Sequence, residues 1–352
     1  MTASSTSENT VMSNSTESLS KQELSLKRFI NAISSVPSIS QVEELIKTKF
    51  ETDVEVLNDI PSYLLSLGGK RIRPVLTLLT GKALGLETPP KALIEIAAGI
   101  ELIHMATLMH DDIIDNSPLR RHKPSPYAKY GLGNTLLSGD FLLVRAFSLC
   151  ARLPRQIIDA TEVACIELTE GESMEFAIPL NDHTITSSLE IARRKTASLF
   201  RLSTFSAGLI AGCNNEAITH LTKFGESLGI AFQILDDILD VTSSEEELGK
   251  KAGTDIRERK PSMVNVLWLA ENTSLSKKML TDENLSDGYI NDSLTEIKSG
   301  NCIERARKLA IDYADEARMS LLEAINKGSG KVDSDSIDSL LAILDYTLER
   351  VK

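Results

Sequence analysis

The chain has 352 residues, of which 42% are hydrophobic, with four cysteines and a formal net charge of −12. The apolar fraction suffices for a substantial core, while the acidic balance excludes a nucleic-acid partner, because binding by counterion release needs clustered cations. Length alone does not choose between one large domain and two ordinary ones.

Residues 1–25 are rich in Ser and Thr and nearly free of large apolar side chains. They lack the apolar stretch of a secretory signal, and with Glu8, Glu17, Glu23 and no arginine they depart from an organelle transit peptide. This segment reads as a disordered tail ahead of a folded unit spanning 26–352. Cys150, Cys165, Cys213 and Cys302 show no metal-like spacing and read as reduced core residues, which points to the cytoplasm, with organelle import as the alternative.

Beyond the tail the apolar spacing is helical nearly everywhere. It predicts helices over 24–36, 40–50, 54–67, 74–86, 91–116, 133–152, 155–178, 186–212, 215–242, 262–272, 302–327 and 335–350. No alternating run reads as a strand. Breaks fall at Gly68-Gly69, Thr88-Pro89-Pro90, Ser117-Pro118 and the charged loop from Thr242 to Pro261. The expected architecture is an all-α, single-domain helical bundle. Residues 100–109 are apolar almost all round, which places that helix in the interior. Glu101, His104 and the aspartates beyond interrupt it short of the roughly 20 residues a membrane span needs. Ile230 to Leu235 read the same way. Two interior helices that each emerge into carboxylates describe a deep apolar cavity with a metal-ready mouth.

Asp111 and Asp115 are four apart, one turn above each other on one helix face, with Asp112 about 100° round. Asp236 and Asp240 repeat that spacing, with Asp237 beside them. A solvated acidic helix end would also look like this once. Two such faces after buried apolar residues suit a hard divalent cation that takes oxygen ligands. Arg120 and Arg121 follow the first cluster and suit an anion carried by that cation. Lys70 and Arg73 sit three apart where Pro74 marks a helix start, so they can converge on an anion near free N–H groups; a basic surface loop is the bland alternative. His104 lies two turns before Asp111 on the same face. Diphosphate with Mg²⁺ satisfies both needs.

These stretches, HDDIIDNSPLRR and FQILDDILD with GGKRIRP upstream and LGKKAGTDIRERK downstream, together resemble the trans-isoprenyl (polyprenyl) diphosphate synthases from about residue 40 to the C-terminus. The resemblance implies an isoprenoid synthase-like bundle and a Mg²⁺-dependent prenyltransferase that condenses isopentenyl diphosphate with an allylic prenyl diphosphate. It implies Asp111, Asp115 and Asp236 as metal ligands, supported by Asp112, Asp237 and Asp240. Lys70, Arg73, His104 and Arg121 are implied for isopentenyl diphosphate, and Arg120, Lys195 and Thr196 for the allylic partner. Gln233 shares the Asp236 face, and Lys250 and Lys260 belong to a lid loop. Three positions depart from the family pattern: His122 and Arg259 stand where Gly is usual, and Glu175 where Gln is usual.

Short-chain members of that family place bulky aromatics where this chain has Ala106 and Thr107, with Ile103 a further turn down. Small residues there, and the GDFLLVRAF run at 139–147, resemble the long-chain enzymes, so the expected product is octaprenyl to decaprenyl diphosphate. Geranylgeranyl or farnesyl diphosphate synthesis is the alternative within the family. A class I terpene cyclase would not need Lys70, Arg73 and Arg121, and a non-catalytic regulatory subunit would commonly lose one acidic motif. The resemblance also implies a homodimer and, for a long product, peripheral membrane contact at release.

Overall fold

Gly68 (φ 87°) and Gly69 (φ 139°) turn the chain into Arg71, itself left-handed at φ 50°, which caps helix α4 (Ile72–Ala83). Pro74 falls in its first turn, as a residue without a free N–H should. Glycine suits position 69 because φ 139° is a conformation that L side chains rarely adopt. The computed structural model describes residues 21–34, 36, 38–244, 251–282, 284–328 and 330–349. Residues 1–20 of the tail expected over 1–25, and the Lys250 assignment, lie outside these, and helix α1 (Lys21–Ser34) begins within the segment read as tail.

Helices α2 (Ile39–Thr48), α3 (Glu55–Ser66), α5 (Lys91–Ile114), α7 (Leu132–Cys150), α8 (Arg155–Ala177) and α11 (Asn215–Thr242) form close to their predicted bounds. So do α13 (Met263–Ala270), α16 (Cys302–Lys327) and α17 (Ser334–Glu349). Helix α5 packs on α7, and α11 runs along α10 (Ser198–Ile210) and α16. One buried cluster gathers around α5, with Leu93, Ile96, Ile100 and Met105 among its members. A second gathers around the C-terminal half of α11 with Ile238, Trp268 and Ile297. By length and composition α5 is apolar enough to cross a membrane, which corrects the expectation that Glu101 and His104 would cut it short. Most of its apolar stretch is buried by protein, as in the core helix of a bundle.

Three differences have local causes. The helix predicted over 186–212 is split into α9 (Ile185–Ile191), a π turn (Ala192–Ala197) and α10. Gly171 of α8 and Gly229 of α11 cradle the turn: a Cβ on either would come within 2.6 Å of Lys195 N or 2.5 Å of Ala197 Cα. Helices α14 (Ser274–Thr281) and α15 (Asp287–Ser299), like the short α6 (Pro126–Tyr130) and α12 (Thr254–Arg257), were not expected from apolar spacing. Capping by the Thr273 and Ser286 side chains starts α14 and α15, a signal that the sequence does carry. Finally, Leu119–Arg120 pairs with Lys123–Pro124 in a two-residue ladder. Its loop residues, Arg121 (φ 52°) and His122 (φ 64°), are both left-handed, the hairpin geometry that normally recruits glycine.

Candidate active site

Glu101, His104, Thr107 and Asp111 recur every three to four residues on α5, forming one polar stripe along an otherwise apolar helix. All four line a cavity of about 860 Å³. Helix α11 contributes Phe232, Gln233 and Asp236 to it, and the π turn contributes Lys195 and Thr196. The two acidic motifs therefore meet across one space. The loop Gly69–Arg73 and Arg121 close one side, and Leu168 and Leu199 supply apolar wall.

The cations are held in two ways. Lys195 Nζ lies 2.6 Å from Glu172 Oε2 and 2.7 Å from Glu175 Oε2. Burial works against its charge, but Glu175, Glu172 and Asp111 outweigh burial and keep its pKa raised. Lys260 Nζ is likewise 2.8 Å from Asp115 Oδ2 and 2.9 Å from Glu258 Oε2. Lys70, by contrast, has no carboxylate within ion-pair distance among the described residues. Arg73 sits over the Phe200 ring at 5.0 Å, and its Nε is buried with no hydrogen-bond partner. A buried guanidinium nitrogen without an acceptor is an anion site in waiting.

Burial, reinforced by Arg73, Arg120 and Arg121, pushes the His104 pKa well below the usual value of 6.5, so the imidazole is neutral and can donate or accept. Asp111 is pushed up to about 7, first by burial and then by Glu172 and Asp115, against Lys195 and Arg120. Glu172 and Glu101 are raised by burial too, despite the cations beside them. Carboxylates lining one cavity are the oxygen donors a hard divalent cation takes, and its charge would offset the cost of burying Asp111 and Glu172 as anions.

The aspartates do not, however, form one cluster. Asp111 and Asp236 face the cavity, but Asp115 is tied to Lys260, and Asp240 Oδ2 accepts from the Asp255 N–H at 3.0 Å. Asp237, raised by burial, accepts from the Met263 N–H at 2.7 Å and from Gln233 Nε2 at 2.8 Å. Among the described residues no three carboxylates, histidines or cysteines gather closely enough to hold a metal ion. Of the expected ligand set Asp111, Asp115, Asp236 and Asp240, the first and third line the cavity, while Asp115 and Asp240 each engage one oxygen with a neighbouring ammonium or amide.

Other expectations shift as well. Arg120 does not line the cavity: its Nε and Nη2 grip the fully buried Asp112, at 2.9 and 2.6 Å from Oδ1. Lys260 borders a smaller neighbouring cavity of about 130 Å³, shared with Lys195, Thr196, Gln233 and Asp237. Of the three residues expected at the tunnel floor only Thr107 meets the cavity; Ile103 and Ala106 lie off the polar stripe and are buried in the core. Glu101, Glu172, Phe29 and Tyr346 were not anticipated. Glu101 was legible as a charge one turn before His104 inside an apolar helix, whereas nothing near Phe29 or Tyr346 pointed to a site.

Residues 54–297 match the polyprenyl synthetase family model. The octaprenyl diphosphate synthase of Escherichia coli is 33% identical over 286 residues, covering 80% of this chain and 88% of that one. A geranylgeranyl diphosphate synthase from Sulfolobus acidocaldarius is 33% identical over 328 residues, covering 89% and 97%. Among solved structures, a polyprenyl synthase from Caulobacter crescentus complexed with calcium and isoprenyl diphosphate superposes with a TM-score of 0.84 at 28% identity, covering 93% of this chain and 98% of that one.

Proposed function

The chain belongs to the polyprenyl synthetase family, and on that premise we propose that it extends an allylic primer with isopentenyl diphosphate to an all-trans product of octaprenyl to decaprenyl length. It is a trans-polyprenyl diphosphate synthase, a prenyltransferase of the all-α isoprenoid synthase fold. The observation that carries the residue assignments is that Asp111 and Asp236, from two different helices, face one cavity together with Lys70, Arg73 and Lys195.

In this reading the isopentenyl diphosphate lies against Lys70, Arg73, neutral His104 and Arg121, and the allylic diphosphate against Lys195, Thr196 and Gln233. Divalent cation dependence is supported by the carboxylate donors and by the calcium-bound Caulobacter relative; Mg²⁺ is the cation we assign. Asp111 and Asp236 would hold it, and it would supply Lewis-acid stabilisation of the leaving diphosphate. The side chains do the rest. Fixed ammonium and guanidinium groups stabilise negative charge as it develops on the departing diphosphate. Leu168, Leu199 and Phe232 keep water from the allylic cation while the isopentenyl double bond attacks it. No side-chain nucleophile is required, and the released diphosphate can accept the proton lost from the new chain. Asp237 acts at one remove by holding Gln233.

For product length, a threonine at the one floor position that meets the cavity leaves room an aromatic would fill. A geranylgeranyl product is the second reading, favoured by the Sulfolobus relative and by the absence of Ile103 and Ala106 from the cavity wall. Incubating the purified chain with Mg²⁺, farnesyl diphosphate and labelled isopentenyl diphosphate separates them. Products beyond twenty carbons are expected, growth that stops at twenty refutes the length, and no condensation refutes the enzymatic reading. We further propose a homodimer formed through the outer face of α7 and α8, where Leu137, Val144, Phe147, Val163 and Ile166 are all exposed.

A further inference from the structure

Helices α1 and α17 both lie outside residues 54–297, which match the family, yet each reaches the cavity: Phe29 from α1, and Tyr346 with Thr347 from α17. The Phe29 and Tyr346 rings are stacked, with centroids 4.1 Å apart and planes 16° from parallel. Beside this pair, at the hydroxyl edge of Tyr346, lies the Lys70 ammonium, 5.2 Å from the Phe29 centroid, 4.8 Å from the Tyr346 centroid and 3.1 Å from the Tyr346 hydroxyl oxygen, to which it donates.

The manner of holding matters. Lys195 and Lys260 are each paired with two carboxylates, so an incoming anion competes for a charge already compensated. A phenol oxygen and neighbouring rings hold an ammonium without neutralising it. A phenol that accepts from Lys70 also keeps its own hydrogen to donate. Lys70 is thereby fixed in place with its charge still available, on the same cavity as Arg73, whose Nε has no hydrogen-bond partner.

We propose that Phe29 and Tyr346 are positioning residues for the isopentenyl diphosphate site, orienting Lys70 toward the diphosphate, with the Tyr346 hydroxyl donating to the same anion. This rests on the reading that Lys70 and Arg73 take that diphosphate. Steady-state kinetics with each substrate varied in turn tests both. Tyr346→Leu should raise KM for isopentenyl diphosphate by about 10-fold, and Tyr346→Phe and Phe29→Leu by about 3-fold, magnitudes typical of a cation–π or hydrogen-bond loss. KM for the allylic primer and kcat should stay within about twofold, a split that loosened packing would not give. In a Lys70→Ala background, Tyr346→Leu should add a smaller rise than it gives alone, because the orienting part of its effect runs through Lys70 and only the hydroxyl's own hydrogen bond to the diphosphate remains to be lost. If Lys70→Ala alone leaves KM for isopentenyl diphosphate unchanged, the site reading fails. If Lys70→Ala raises it while Tyr346→Leu does not, or if Tyr346→Leu raises both KM values equally, the positioning role fails on its own.

Discussion

His122 and Arg259, where the resemblance leads one to expect glycine, are both left-handed, at φ 64° and 56°. A residue with a Cβ costs about 1–2 kcal/mol there. The two are not equivalent, because His122 is exposed while Arg259 donates to the carbonyls of Met279 and Asp282 at the end of α14. His122→Gly should therefore stabilise the chain by about 0.5 kcal/mol after the entropic cost of glycine. Arg259→Gly should destabilise it by about 1–3 kcal/mol, since it forfeits two charge-assisted hydrogen bonds. Opposite shifts in thermal melting would bear this out, and shifts of the same sign would contradict it. His104 adds a pH dependence. Its folded pKa lies well below its ordinary 6.5, so the unfolded chain binds the proton more readily; the stabilisation is present above pH 6.5 and drains away as pH falls toward the folded pKa. Urea midpoints should fall less steeply from pH 7 to about pH 5 in His104→Gln than in the parent, and parallel slopes would show that His104 is not the group responsible.

At the scale of elements, α5 and the π turn do most to place the chemistry. A helix buried on nearly every side can still present one polar stripe, because positions 101, 104, 107 and 111 return to the same face. The aspartate spacing and the helix were both legible for that reason. The π turn was not, because it arises from close approach: Gly171 and Gly229 let two other helices press against the backbone that carries Lys195 and Thr196. Gly229→Ala should force that backbone to shift, costing about 1–3 kcal/mol and raising KM for the allylic substrate. Gly133→Ala in α7, where a Cβ meets nothing within 4 Å, should instead stabilise by about 0.5–1 kcal/mol and leave kinetics alone. Equal behaviour of the two variants would remove the π turn from the account of Lys195.

Over the whole molecule, the cavity is enclosed by α5, α8, α10, α11, the π turn, the loop into α4 with Arg121, and helices α1 and α17. The outer face of α7 remains exposed at Val144 (65%) and Leu137 (59%), and α8 exposes Val163 and Ile166. If that face joins two copies, Val144→Glu should convert a dimer to a monomer in sedimentation analysis while circular dichroism stays unchanged; a dimer that persists would place the interface elsewhere. What the sequence determined by itself was set by local rules: helices from apolar period, carboxylate faces from the i, i+4 spacing, and the Lys70–Arg73 pair from its glycines and proline. What only the tertiary structure decided depends on neighbours distant in the chain. Lys260 reaches Asp115, Tyr346 meets Lys70, Arg120 turns back to Asp112, and Ala106 falls into the core rather than onto the cavity. Spacing fixes the face of a helix on which a side chain stands, but the partner opposite that face is chosen by packing among elements the local pattern never relates.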